Sequence, residues 1–310
     1  MSAMATVGTG PDVGRHARLL RLATTASIAV ASLLILGKLA TWVLTDSVSL
    51  LSSLVDSLMD VAASIVNFLA VRHALTPPDR EHRFGHGKAE PLAGLAQSAF
   101  IVGSAAFVLF EAVHHLVDPA PLAHGAVGIG MMVASLLLTV GLVAFQGHVV
   151  RVTRSTAIDA DALHYRSDIA MNGSVIAAIV LSDQVGWMWA DPVFALAITG
   201  YIVWGAVRIA RRALDLLMDH ELPEADRMRI RELVLSHPQA RAMHDLRTRA
   251  SGTTPFIQFH LELDPGLTLL QAHAISDAIE ARLKECFPAS EIIVHQDPAG
   301  YETPPALHAT

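Results

Sequence analysis

The sequence predicts an all-α membrane bundle of six helices followed by a small water-facing α+β domain. Three observations carry that expectation. The 310-residue chain is too apolar for an ordinary soluble enzyme, with 52% hydrophobic residues, 16% charged residues and a mean hydropathy of +0.44. Six stretches are each long and apolar enough to cross a hydrocarbon core of about 30 Å, which takes about 20 residues. The charge is also uneven: residues 1–213 hold 14 acidic and 14 basic residues, whereas 214–310 hold 15 and 8, so the net charge of -7 lies in the tail. That balance excludes a nucleic-acid binder held by broad positive charge.

The spans run from Leu22 to Leu44, Val48 to Val71, Leu92 to Val117, Val127 to Val149, Ala157 to Val180 and Trp189 to Ile209. The first is long, lacks a clear small-residue cleavage site and precedes five others, so it is read as retained rather than as a cleaved signal. Short cytoplasmic loops collect Lys and Arg. Arg15, Arg18 and Arg21 precede the first span; Arg72, Arg80, Arg83 and Lys88 follow the second; Arg151 and Arg154 follow the fourth; Arg208, Arg211 and Arg212 close the sixth. The opposite loops carry none, which places both termini in the cytoplasm and Trp42, Trp187 and Trp189 at the other interface. Gly103, Ala105 and Ala106 in the third span, and Gly173, Ala177 and Ala178 in the fifth, admit close helix packing.

Beyond Arg212 the pattern becomes that of a soluble domain. A helix runs from Leu222-Pro223-Glu224 to about Ser236, with Pro suited to the first turn. Strands follow at His244 to Arg249 and Phe256 to Asp264, joined by the Ser251-Gly252 turn. In the second, Ile257, Phe259, Leu261 and Leu263 alternate with Gln258, His260, Glu262 and Asp264, the period of a half-buried strand. A helix from Thr268 to Cys286 and a strand from Glu291 to His295 complete the order αββαβ, with the helices expected on one face of an antiparallel sheet, a ferredoxin-like arrangement.

The single Cys286 rules out an intrachain disulfide and a multi-thiolate cluster, so metal chemistry here would use imidazole and carboxylate. Asp56 and Asp60 in the second span, and His164 and Asp168 in the fifth, are each four residues apart and share a helix face. Ionised carboxylates in hydrocarbon are costly, so Asp56 and Asp60 should face a polar cavity or an ion. If the two faces meet, three carboxylates and an imidazole suit a tetrahedral divalent ion, zinc above all. The plainer reading of His164 and Asp168 is a solvated pair bonded to each other or to Arg166.

A second cluster, Asp79, His82 and His86, sits in the loop after the second span, where Gly85 and Gly87 permit a fold-back; its plainer reading is a solvated loop. Gly85-His86-Gly87-Lys88 is not a phosphate loop, because His82 stands where the earlier Gly is needed and Ala89 where Ser or Thr is needed. The third cluster is His244, His260, His273, His295 and Asp297, whose distribution over one small domain favours a shared metal site, with a carboxylate able to bridge two ions. No His-Glu-x-x-His run supports a membrane metalloprotease.

Six spans, Asp-x-x-x-Asp in the second, His-x-x-x-Asp in the fifth and a His-rich αββαβ tail resemble the cation diffusion facilitator family. Ser47-Val48-Ser49-Leu50-Leu51 through Val55-Asp56-Ser57-Leu58, Phe84-Gly85-His86-Gly87-Lys88-Ala89-Glu90 and Val294-His295-Gln296-Asp297-Pro298 are most similar to its bacterial zinc and ferrous-iron efflux branch. The resemblance implies a homodimer in the bacterial inner membrane that exports Zn2+, with Fe2+ and Cd2+ as further candidates, in exchange for protons by alternating access. It implies a transport site of Asp56, Asp60, His164 and Asp168 and a loop site of Asp79, His82 and His86. It further implies a cytoplasmic binuclear site of His244, His260, His273, His295 and Asp297, and an ion pair of Lys88 and Asp219 at the dimer hinge.

On this reading residues 15–213 form the membrane domain and 214–298 the metal-binding and dimerisation domain, with disordered tails at 1–14 and 299–310. Zinc is both substrate and regulatory ion, with no organic cofactor. The competing expectation is a metal-gated channel or membrane metal sensor without coupled transport.

Overall fold

The computed structural model describes residues 11–45, 48–117, 126–185, 189–252 and 254–301. Six long helices come first: α1 (Pro11–Thr45), α2 (Val48–Ala74), α3 (Ala89–Val117), α4 (Ala126–Thr153), α5 (Thr156–Val185) and α6 (Ala190–Leu217). At about 1.5 Å per residue, the shortest, with 27 residues, exceeds the thickness of a bilayer core. Four helices contain stretches apolar enough to cross by composition alone: Gly14–Val43, Ala89–Phe110, Val133–Thr153 and Val193–Leu217. Four of the six expected apolar spans thus stand among the described residues. Many side chains in the first part of α2 and the second part of α5 lie outside the described residues, and the first half of α5 carries Asp159, Asp161, His164, Arg166 and Asp168. Trp187 and most of the loops that lack Lys and Arg lie outside the described residues.

Packing shows how the charged half of α5 is accommodated. α1 lies against α2 and α4, α3 against α6, and α5 touches each of the other five. The polar helix is thus the central one, and Ser155 through Tyr165 are buried except for the half-buried Asp159. Apolar side chains that would meet lipid, such as Leu33, Leu36, Leu69, Phe107, Phe110 and Leu137, are exposed on α1 to α4. Close approach to α5 occurs at Gly94, which faces Thr156, and at Gly205, where an added Cβ would strike the Leu163 methyls. Gly103 and Gly173, expected to admit close packing, face open space within the chain. Glu90 accepts the Thr156 backbone N–H at 3.1 Å, tying the start of α5 to α3.

The tail is built from α7 (Glu224–Leu235), β1 (Ala242–Ser251), β2 (Thr254–Leu263), α8 (Leu269–Cys286) and β3 (Glu291–Pro298). The strand order is β1-β2-β3. β1 and β2 form an antiparallel hairpin, but β2 and β3 run parallel, so the sheet is mixed rather than antiparallel. The cause is α8, a crossover helix that returns the chain to the same end of the sheet. A capping box of Thr268 and Gln271 starts that helix. Ile257, Phe259, Leu261 and Leu263 join Ile230, Val234, Ile279 and Leu283 in the core. The alternate side chains of β2, including His260 and Glu262, are left on the opposite face.

The two parts meet where the α2–α3 loop and the end of α6 reach the β1–β2 hairpin. Gly87 of the α2–α3 loop lies so near the hairpin turn that a Cβ would collide with the Ser251 carbonyl, and Gly252 there adopts φ +58°. Phe84 meets Phe256 edge-on at 5.8 Å, with the Arg249 guanidinium 4.9 Å and 4.6 Å from the two rings. This explains why Phe256 is buried on the otherwise polar face of β2. Lys88 Nζ lies 2.9 Å from Asp219 Oδ1 and donates to the Leu217 carbonyl at 3.2 Å, while Arg249 reaches the same Asp219 oxygen at 3.3 Å. Asp219 ends α6 in the left-handed region at φ +58°, a position usually given to Gly. Partial burial works to raise its carboxyl, but Lys88 and Arg249 outweigh it and hold Asp219 below the ordinary carboxylate range.

Two outcomes follow from this packing. Ile257→Ala should cost the tail about 2–5 kcal/mol, read as lost hydrogen-exchange protection of the β1 and β2 amides. Because Asp219 is depressed in the folded state, its contribution to the junction is present at neutral pH and is lost as pH falls below about 4. A spin-label distance between the α2–α3 loop and the hairpin should therefore lengthen on acidification, and Lys88→Ala should bring that lengthening to neutral pH.

Candidate metal centres

Three groups of ligand-type side chains converge, each with donor atoms within 4.8 Å of one another: Asp60, His164 and Asp168; Asp79, His82 and His86; and His244, His260 and Asp297. The first lies between α2 and α5. His164 Nε2 is 2.9 Å from Asp60 Oδ1 and 3.9 Å from Asp168 Oδ2. His164 is buried, and its ring packs edge-on against Phe100 and Tyr165. The two helix faces expected to meet do so at these three residues. The Asp56 side chain lies outside the described residues, although its backbone belongs to α2.

One turn along α5 stands a group that the pattern of spacings passed over. Asp161 is fully buried, and its Oδ2 accepts from Ser27 Oγ of α1 at 2.7 Å and from Gln146 Nε2 of α4 at 2.6 Å. Ser27, Ser64 of α2 and the Tyr165 hydroxyl complete a ring of hydroxyls, with separations of 3.1–3.4 Å. The available signal was a third acid at i−3 from His164, on the same face.

The loop group forms because Asp79 acts as a turn acceptor. Its Oδ1 takes the backbone N–H groups of Glu81 at 2.9 Å and His82 at 2.6 Å. Those bonds, with the His82 amide foremost, hold its carboxyl below the ordinary range. Gly85 at φ +77° then turns the chain so that His86 Nε2 comes within 3.4 Å of Asp79 Oδ2. His86 is buried, and its Nδ1 has no hydrogen-bond partner. His73, at the end of α2, packs its ring 4.5 Å from that of His86, a neighbour that the sequence reading did not include.

In the tail, strand register builds the site. His244 pairs with His260, and His260 with His295, so three imidazoles stand in one row across β1, β2 and β3. Ring centroids are 4.9 Å and 4.5 Å apart. Asp297 lies in the next row opposite Glu262. Its Oδ2 is 2.8 Å from His260 Nδ1 and 3.3 Å from His244 Nε2, while its Oδ1 is 3.2 Å from His295 Nε2. One carboxylate thus addresses imidazoles through both oxygens. His244 Nε2 is buried without a well-formed hydrogen bond, which fits a metal-ligand nitrogen. Two further acids line the row: Glu262, 3.7 Å from His244, and Asp245, 3.8 Å from His260. Asp245 sits at a register irregularity in β1 with φ +47°, and Arg247, hydrogen-bonded to it, holds its carboxyl below the ordinary range. His273 is not drawn in; it lies exposed on α8 beside Asp277, at 3.5 Å.

Comparison with known proteins identifies the family. Residues 24–218 match the family model of the cation efflux transmembrane domain, and residues 222–299 match that of the cation efflux protein cytoplasmic domain. The chain is 49% identical over 283 residues to the cation-efflux pump FieF of Salmonella choleraesuis (strain SC-B67), covering 91% of this chain and 94% of that protein. The same identity and coverage hold for FieF of Salmonella newport (strain SL254). The solved zinc form of CzrB is 31% identical, covering 28% of this chain and 99% of its own, with a TM-score of 0.26. With a helical membrane region, a cytoplasmic domain on a mixed sheet and clustered metal ligands in both, the chain belongs to the cation efflux, or cation diffusion facilitator, family and is a transporter of divalent metal cations rather than an enzyme.

Proposed function

We propose that this protein exports Zn2+ from the bacterial cytoplasm across the inner membrane in exchange for protons. The observation that carries the reading is the meeting of Asp60, His164 and Asp168 inside the helical bundle. With Asp56 one turn from Asp60, the set would offer three carboxylates and one imidazole, which suits tetrahedral zinc and also admits Fe2+ and Cd2+. A bound cation relieves the like charge of the carboxylates, and protons relieve it as well, so the two compete for one site. His164 cannot ligate through a protonated nitrogen, so proton arrival from outside favours metal release. Rocking of the helices between inward-open and outward-open arrangements would complete the cycle.

In this reading all six helices α1 to α6 span the membrane, with the charged half of α5 packed among the others. The arginines at the ends of spans support cytoplasmic termini. Residues 15–213 form the transport domain and 214–298 the regulatory one. Asp79, His82 and His86 form a loop site. His244, His260, His295 and Asp297 would hold regulatory zinc, which supplies cross-links between strands; His273 would reach that site from a second chain in a homodimer. Lys88 and Asp219 form the hinge on which the tail sits.

Zinc flux into proteoliposomes under an imposed pH gradient tests the reading. Wild type should show gradient-driven uptake, and Asp60→Ala should reduce it to background. Asp297→Ala should leave gradient dependence intact while lowering zinc bound per chain. Zinc flux indifferent to the proton gradient would instead mark a channel.

A further inference from the structure

We propose that Asp161 is a proton-binding site of the transport cycle, separate from the metal ligands and linked to them by charge. The proposal rests on the proton-coupled reading above. An ionised carboxylate buried in a helical bundle is costly unless it is paired or fully hydrogen-bonded. Asp161 is fully buried, yet no Lys, Arg or His lies within ion-pair distance of it among the described residues. Its partners are neutral. Ser27 and Gln146 both donate to Oδ2, while Oδ1 is buried with no hydrogen-bond partner at all. Gln146 Oε1, on the residue that grips Oδ2, is likewise buried without a partner. Two orphaned acceptor oxygens on adjoining side chains are a deficit of hydrogen, and one proton on the carboxyl reduces it.

The position of this carboxyl ties it to the metal. The titratable groups facing Asp161 are His164 and Tyr165 on α5 and Asp60 on α2; α1 and α4 present the neutral Ser27 and Gln146. Asp161 itself makes no hydrogen bond or ion pair to a ligand side chain among the described residues, so it is not a further member of the coordination set. It stands about one helical turn from His164. A divalent cation held there and a proton on Asp161 repel each other in a medium of low dielectric. Metal arrival therefore expels the Asp161 proton, leaving a carboxylate, and metal departure returns one. The hydroxyls of Ser27, Ser64 and Tyr165, each able to donate and to accept, stand beside Asp161 as its first relay, and the expelled proton ends in bulk water.

Proton release on zinc binding tests this, using the full chain in lipid nanodiscs and a pH indicator, alongside gradient-driven zinc flux in proteoliposomes. D161N should bind zinc and release about one proton fewer per zinc than wild type, with flux less dependent on the pH gradient. Equal proton release and equal gradient dependence in the two proteins would overturn the role of Asp161 while leaving antiport standing. Wild-type flux without gradient dependence would overturn antiport and the Asp161 proposal together. If D161N fails to bind zinc, infrared difference spectra of the wild-type protein decide. A protonated-carboxyl band that disappears on adding zinc, and that shifts in Asp161→Glu, supports the proposal; no such band overturns it.

Discussion

The structure depends on one constraint: polar side chains inside a lipid-facing bundle must find their partners within the protein. α5 is where that constraint acts most strongly. It carries the imidazole and one carboxylate of the candidate membrane metal centre, together with Asp161, and it is the helix that touches all five others. Lipid contact is left to α1 to α4 and α6, whose outward faces are leucine, phenylalanine and valine. The arrangement explains how a helix whose first half is rich in ionisable groups coexists with a chain of strongly apolar average. It also accounts for where the candidate metal centre lies, since the faces of α2 and α5 that carry Asp60 and His164 meet each other rather than hydrocarbon.

The cytoplasmic centre obeys a different geometry. Pairing of β1 with β2 and of β2 with β3 sets three histidines in one row, and the parallel placement of β3 puts Asp297 beside Glu262 in the next row. Shifting β3 by one residue would turn His295 and Asp297 to the face occupied by Ile279 and Leu283. The hydrophobic face under α7 and α8 therefore specifies the metal face as well, because each residue buried among Ile257, Phe259, Leu261 and Leu263 fixes the direction of its neighbours.

Much of this was legible in the sequence because it is periodic. Spacing of four residues places Asp60 in register with Asp56 and His164 with Asp168, and alternation along β2 separates core from site. What escaped was set by pairing between distant segments. Asp161 looks like one more acid near a helix start until Ser27 and Gln146 arrive from α1 and α4. Asp245 gains its place from an irregularity in the ladder, which no local pattern announces. The direction of β3 depends on the crossover through α8. His273 has the residue type of a ligand but, on its exposed helix face, not the position of one within a single chain. Phe84 reads as a loop aromatic, yet it covers Phe256 and receives Arg249, joining the two halves of the molecule.

The central position of α5 has a consequence for how the protein is made. A segment carrying so many ionisable groups is a poor candidate for entering a bilayer by itself, where each would meet hydrocarbon. The polar groups that meet Asp161, His164 and Tyr165 are already upstream: Ser27 on α1, Asp60 and Ser64 on α2, and Gln146 on α4 all emerge from the ribosome before α5 does. Chain order thus doubles as an assembly order, in which the earlier helices form a polar cradle and the costliest helix is received into it rather than into lipid.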